Sequence, residues 1–146
     1  MRLSIVIPVY NSALVLERLT SEISKAFEPM VSRPGTVGKA WGGGLETIGS
    51  GAIDPAEGPG ISDIEILLVD DGSTDDSYKV IQGLCDQDPR IRGFSLTKNF
   101  GQQNATLCGL RHASGDLIAT MDDDLQHPVT ALKVMIGQLF AENRDI

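Results

Sequence analysis

Leu117-Ile118-Ala119-Thr120-Met121-Asp122-Asp123-Asp124-Leu125-Gln126-His127-Pro128 passes from an apolar run through three adjacent carboxylates to a proline suited to a helix's first turn. The stretch reads as a strand that delivers acidic side chains at its carboxyl end. A helix follows, with Leu132, Met135, Ile136 and Leu139 on its apolar face. Neighbouring carboxylates repel one another, and burying them unpaired is costly, so a cation or solvent must lie close. Oxygen-only ligands of loose geometry suit Mg²⁺ or Mn²⁺. A solvated acidic loop would also satisfy them, and the rest of the chain has to decide.

The same unit occurs three times upstream. Leu3-Ser4-Ile5-Val6-Ile7-Pro8-Val9 is a buried parallel strand expected to end where Pro8 removes a ladder donor. Asn11 or Ser12 is expected to cap the next helix, with Leu16, Leu19, Ile23, Ala26 and Phe27 at helical spacing as far as Glu28-Pro29. Ile64-Glu65-Ile66-Leu67-Leu68-Val69 is a second strand running into Asp70-Asp71-Gly72-Ser73-Thr74-Asp75. An EF-hand calcium loop needs glycine at its sixth position, which is absent counting from either aspartate. Ser73 and Asp76 have the spacing of a capping pair before a helix that faces the core with Tyr78, Ile81, Leu84 and Cys85. Ile91-Arg92-Gly93-Phe94-Ser95-Leu96 alternates as a third strand. It is followed by Lys98-Asn99-Phe100-Gly101 and by a helix predicted to turn Ala105, Leu107, Cys108, Leu110 and Ala113 inward, ending at Ser114-Gly115.

Four strand–helix units in alternation predict an α/β fold, a mostly parallel sheet flanked by helices and joined by right-handed crossovers. Residues 31–62 interrupt the pattern with closely spaced glycines and prolines and no periodicity, which predicts a flexible insertion. Gly42-Gly43-Gly44 is not a phosphate loop, because no Gly-Lys-Ser/Thr follows and no strand precedes it. The 146 residues suit one domain or part of one, and Ile146 reads as the first residue of a further strand, so the chain is expected to be truncated.

Charge and composition narrow the function. A net charge of −8 argues against sequence-independent nucleic-acid binding, which needs clustered Lys and Arg to displace counterions. No apolar run approaches the ~20 residues that span a bilayer, and a strand pattern begins directly after Met1, so neither anchor nor signal peptide is expected. Cys85 and Cys108 read as free thiols on apolar helix faces, consistent with a reducing, cytoplasmic setting. His112 and His127 read as surface residues.

Parallel strands bring the residues after each strand to one edge: Pro8, Tyr10 and Asn11; Asp70 and Asp71; Lys98 and Asn99; Asp122 to Asp124. That set suits a nucleoside diphosphate held through a metal, with Lys98 toward a phosphate oxygen. A dinucleotide dehydrogenase would need Gly-x-Gly-x-x-Gly after the first strand, where Pro8-Val9-Tyr10-Asn11 stands.

Ile5-Val6-Ile7-Pro8-Val9-Tyr10-Asn11, Val69-Asp70-Asp71-Gly72-Ser73-Thr74-Asp75, Lys98-Asn99-Phe100-Gly101 and Met121-Asp122-Asp123-Asp124-Leu125-Gln126 together resemble the family 2 glycosyltransferases of GT-A fold. The similarity is greatest to the dolichol-phosphate mannose synthase and bacterial polyprenyl-phosphate glycosyltransferase branch, and it covers the chain apart from the Gly/Pro-rich segment. The resemblance implies an N-terminal nucleotide-binding part. Pro8, Val9, Tyr10, Asn11, Asp70, Asp71, Lys98, Gly101, Asp122 and Asp123 would serve the nucleotide. Asp122 and Asp124 would be catalytic and, with Gln126, would hold Mg²⁺ or Mn²⁺ on the diphosphate. Asp123 crowds the same volume as a further candidate ligand. Ser12 stands where the family often has Glu, and His127-Pro128-Val129 where it often has an acidic residue and a double proline.

The implied reaction is inverting transfer of a sugar from a UDP- or GDP-linked donor to a polyprenyl or dolichyl phosphate, in cell envelope biogenesis. The full-length protein would lie at the cytoplasmic face of a membrane, touching it only through segments absent from this chain. Self-association is left open. The alternatives are transfer to a saccharide hydroxyl in polysaccharide synthesis, and a truncated, non-catalytic nucleotide-binding fragment.

Overall fold

The elements follow in the order β1 (Arg2–Val9), α1 (Leu16–Phe27), β2 (Asp63–Asp70), α2 (Ser77–Gln87), β3 (Ile91–Ser95), α3 (Gln102–His112), β4 (Leu117–Thr120) and α4 (Val129–Ala141). This computed structural model describes residues 1–28 and 60–141. The expected insertion therefore lies outside the described residues, except for its last positions. There Ile61 is fully buried in the core and Ser62 N–H donates to Met1 O at 2.8 Å, so by Ile61 the chain is already packed. The expected start of a further strand at Ile146 also lies outside the described residues.

The four strands form one parallel sheet in the order β3-β2-β1-β4, the α/β arrangement the alternation predicts. Connections step outward from β1 to β3, then return to place β4 on β1's other side. The strand order thus reverses between β1 and β4, and in open α/β sheets ligands bind outside the carboxyl ends of the strands at such a point.

Side-chain alternation divides the core between the two faces. Leu3, Ile5, Ile7 and Val9 of β1 and Ile64, Ile66 and Leu68 of β2 join Leu16, Leu19, Ile23 and Phe27 of α1, Ile81 and Leu84 of α2, and Val129 and Ile136 of α4 in one buried cluster. α3 covers the opposite face, and its approach corrects the sequence reading. Ala105 and Gly109 are its buried residues, whereas Leu107 and Leu110, predicted to point inward, are exposed. A Cβ at Gly109 would lie 2.3 Å from Val6 Cγ1 and 3.2 Å from Val69 Cγ2, so the helix sits too close to the sheet for larger residues on that line. Met135, predicted on the core face of α4, is likewise exposed, whereas Ile136 of the same predicted face is buried, Leu132 and Leu139 pack partly buried against the core, and Val129 is buried as well.

Pro8 does not end its strand. It is buried within β1 and pairs in register with Val69. Arg2 O and Val6 O accept from Asp116 and Met121 on the β4 side, while Val9 O accepts from Asp71 on the β2 side. By that alternation the missing N–H of Pro8 faces β4, whose pairing has already stopped at Val6–Thr120. The proline therefore ends the β1–β4 ladder, and the two strand ends are free to part. Among the described residues no helix is long and apolar enough to cross a membrane.

Candidate active site

Four loops leave the carboxyl edge of the sheet. The first turns at Asn11, whose φ of 50° lies in the left-handed region that asparagine tolerates better than most residues. Neither Asn11 nor Ser12 caps α1: its N-cap is Val15, with no side-chain cap. Asn11 Oδ1 instead accepts from the backbone N–H of Thr74 (2.8 Å) and Asp75 (3.3 Å), tying the first loop to the second. Ser73 is not a cap either, because its hydroxyl accepts from Asn11 N–H at 2.9 Å. At the start of α2, Asp75 Oδ1 accepts from Ser77 N–H (2.9 Å) and from the Ser77 hydroxyl (2.5 Å), and the Ser77 hydroxyl holds the Asp75 carboxyl below its ordinary range.

The second and third loops meet backbone to backbone. Gly72 has φ 67°, and a Cβ there would lie 2.4 Å from Lys98 C and 2.5 Å from Asn99 N. No other residue fits that approach. Asp70 and Asp71 are both buried and point to different tasks. Asp70 accepts from Ser73 N–H and the Ser95 hydroxyl, each at 3.2 Å, and so fastens β2 to its own turn and to β3. Asp71 accepts from Phe100 N–H at 2.7 Å and orders the third loop beside the cleft.

The triplet after β4 fans out. Gln102 Nε2, at the start of α3, donates to Asp122 Oδ1 at 2.8 Å. Asp123 turns toward β1: its Oδ2 accepts from Tyr10 N–H at 3.2 Å and from the Ser12 hydroxyl. Asp124 Oδ1 accepts from Gln126 N–H at 3.0 Å, closing a turn in which Leu125 takes φ 58°, a strained value for leucine.

A cleft of about 350 Å³ opens between these loops, lined by Pro8, Val9, Tyr10, Asp71, Asn99, Gly101, Gln102 and all three aspartates of the triplet. Of the residues named from sequence, the fold therefore gathers Pro8, Val9, Tyr10, Asp71, Asn99, Gly101, Asp122, Asp123 and Asp124. Asn11, Asp70, Lys98 and Gln126 are not in the lining. Asn11 and Asp70 bind neighbouring loops, and Lys98 is exposed with Nζ 5.0 Å from the Phe100 ring centre. Gln126 is exposed beside Asp124. Gln102 escaped the sequence reading. Its one signal was its place directly after Lys98-Asn99-Phe100-Gly101, where α3 begins.

Among the described residues no group of three or more His, Cys, Asp or Glu side chains converges as a metal cage. The donor set fits a different kind of cation site. Two cleft-lining carboxylates, Asp122 and Asp124, match a hard divalent ion that takes one or two protein carboxylates and completes its shell from phosphate and water.

Comparison with known proteins agrees with this architecture. The family model described as "Glycosyl transferase family 2" matches residues 56–146. The undecaprenyl-phosphate 4-deoxy-4-formamido-L-arabinose transferase of Salmonella paratyphi B is 35% identical over 138 residues, covering 94% of this chain and 33% of that protein. The chain spans a third or less of the length of the curated relatives it matches first. Among solved structures, Staphylococcus aureus TarS 1-349 superposes with a TM-score of 0.60 at 18% identity, over 98% of this chain and 33% of that one. The mannosyltransferase PcManGT from Pyrobaculum calidifontis, in complex with GDP-Man and Mn²⁺, superposes with a TM-score of 0.59 at 19% identity, over 93% and 32%. At those identities the superpositions speak for the GT-A fold. With the family match over most of its length and a reversing parallel sheet whose acidic loops share one cleft, the chain belongs to glycosyl transferase family 2.

Proposed function

We propose that the cleft binds a nucleoside diphosphate sugar, UDP- or GDP-linked. We further propose that the protein to which this nucleotide-binding part belongs transfers the sugar, with inversion, to a polyprenyl phosphate at the cytoplasmic face of a membrane. The observation that carries the reading is the meeting of Tyr10, Asp71, Gln102, Asp122 and Asp124, from three loops and the start of α3, around one opening at the strand-order reversal. The Salmonella relative, named for an undecaprenyl-phosphate acceptor, supports the lipid-phosphate half of the proposal. PcManGT, solved with GDP-Man and Mn²⁺, supports the donor half.

In this reading Pro8, Val9 and Tyr10 form the wall for base and ribose, with Asp71 ordering the loop beside them. Asp122 and Asp124 would hold Mg²⁺ or Mn²⁺, which supplies charge neutralisation for the departing diphosphate. Gln102 keeps Asp122 turned to the cleft. A phosphate acceptor is already ionised near neutral pH, so the chain need not provide a general base.

Isothermal titration of this chain with UDP and with GDP, each with and without Mn²⁺ or Mg²⁺, tests the proposal. One of the two should bind in a metal-dependent way, and Asp124→Ala should weaken binding by about tenfold to a hundredfold, the loss expected for a charge-assisted contact. Metal-independent binding untouched by Asp124→Ala would overturn it. A radiolabel transfer assay on the full-length gene product, supplied with polyprenyl phosphate or with a saccharide acceptor, distinguishes lipid-phosphate from hydroxyl transfer.

A further inference from the structure

Past the last rung of the β1–β4 ladder, where Met121 N–H donates to Val6 O at 3.0 Å, the two strand ends have no backbone pairing among the described residues. Pro8 has no N–H to continue it. The hydrogen bonds that still cross this gap, among the described residues, both end on Asp123 Oδ2: Tyr10 N–H at 3.2 Å and the Ser12 hydroxyl. Ser12 Oγ also lies 3.0 Å from Tyr10 O, but its single proton favours the charged acceptor. Ser12 is itself fixed, its N–H donating to Ser77 Oγ at 2.8 Å at the start of α2. Asp123 therefore reaches a rigid point rather than a loose loop, whereas Asp122 is held from the opposite side by Gln102.

We propose that Asp123 is a positioning residue, whose carboxylate clasps the β1 loop to the β4 loop through Ser12 and Tyr10 and so sets the width of the cleft, leaving cation binding to Asp122 and Asp124. The proposal rests on the reading of the cleft as a nucleoside diphosphate site. It also separates the triplet by geometry: adjacent residues on a turning backbone project in different directions, and the middle one projects toward β1. Asparagine at 123 would keep an acceptor oxygen for both donors and lose the charge. Alanine would lose both.

Two measurements on the chain test it. In the ligand-free protein, amide hydrogen exchange at Tyr10 should quicken by about tenfold in Asp123→Ala and recover to within about twofold in Asp123→Asn, a difference set by one hydrogen bond. Titration with UDP and GDP in the presence of Mn²⁺ should show the same pattern: a loss of about tenfold in Asp123→Ala, rescue by Asn, and no further loss on adding Ser12→Ala to Asp123→Ala. Ser12→Ala alone supplies the answer if Asp123→Ala does not fold. Binding lost equally in Asn and Ala, with Tyr10 exchange unchanged, would overturn the clasp and make Asp123 a cation ligand. If neither nucleotide binds the unaltered chain, the reading of the cleft fails, and Tyr10 exchange still decides the clasp.

Discussion

Glu65 is a fully buried carboxylate near the amino end of a central strand, away from the cleft. Its Oε1 accepts from the Ser4 hydroxyl (2.5 Å), Ser114 N–H (2.6 Å) and the Ser114 hydroxyl (2.9 Å), while Arg2 and Arg92 each approach Oε2 at 3.4 Å. Burial alone would raise its pKa. The Ser4 and Ser114 hydrogen bonds and the Arg2 charge outweigh burial and bring it from about 4.5 down to about 2. A depressed carboxylate stabilises the fold above its unfolded pKa, so this contribution is complete above about pH 5 and is lost as pH falls from there toward 2. It amounts to something on the order of 3 kcal/mol. Urea unfolding of the wild type and Glu65→Gln should therefore differ most at neutral pH and converge only as the pH approaches about 2. A constant difference across that range would show that Glu65 contributes through packing rather than charge. The residue's work is to pin the α3–β4 connection onto β1 and β2, where Gly115 N–H also donates to Ser4 Oγ at 2.8 Å. At this scale the sequence was least informative. Asp122 to Asp124 could be placed at a strand end from the apolar run before them. The direction each takes depends on the φ of 58° at Leu125, on Ser12 and on Gln102, none of which any periodicity reveals.

Helix α3 shows how an element can be legible while its face is not. Its span was readable, and Ala105 is buried as expected, but hydrophobicity also assigned Leu107 and Leu110 to the core, and the structure turns Gly109 inward in their place. Close helix–sheet packing selects small residues, and small residues carry little hydrophobic signal. The strands were easier, because parallel strands covered on both faces read as continuous apolar runs. The same substitution in two helices measures the difference. A Cβ at Gly83 in α2 would have nothing within 4 Å, so Gly83→Ala should stabilise by up to about 1 kcal/mol through helix propensity. Gly109→Ala gains the same propensity but drives a methyl to 2.3 Å from Val6 Cγ1, a β-branched side chain with no other rotamer to adopt cheaply. Overpacking of that kind costs about 1–3 kcal/mol, so the net effect should be destabilising. Thermal melts of both variants check the opposite signs. If Gly109→Ala raised Tm, α3 could move off the sheet freely, and its closeness would not constrain the cleft it borders.

Across the whole molecule, burial declines from the centre of the sheet toward the side that carries the triplet. β1 and β2 are buried at nearly every position and each pairs on both sides. β4 is four residues long, pairs among the described residues with β1 alone, and leaves Ile118 and Thr120 exposed. α4 buries Val129 and Ile136 but exposes Val134 and Met135. Local opening draws on the elements with the fewest buried apolar contacts, and ligand-binding segments commonly come from that end of the stability range. Native-state hydrogen exchange should therefore find the β2 amides exchanging only through global unfolding. The Met121 amide at the end of β4 should exchange at least about tenfold faster, through a smaller opening. UDP or GDP with Mn²⁺ should then slow Met121 and Tyr10 by the same factor as β2, because an opening that parts the β1 and β4 ends loses the ligand as completely as global unfolding does. Slowing of β2 with Met121 and Tyr10 left unchanged would place the ligand away from the strand-order reversal. Met121 as slow as β2 without ligand would make the acidic edge as rigid as the core, and the Asp123 clasp would then have no local opening to restrain.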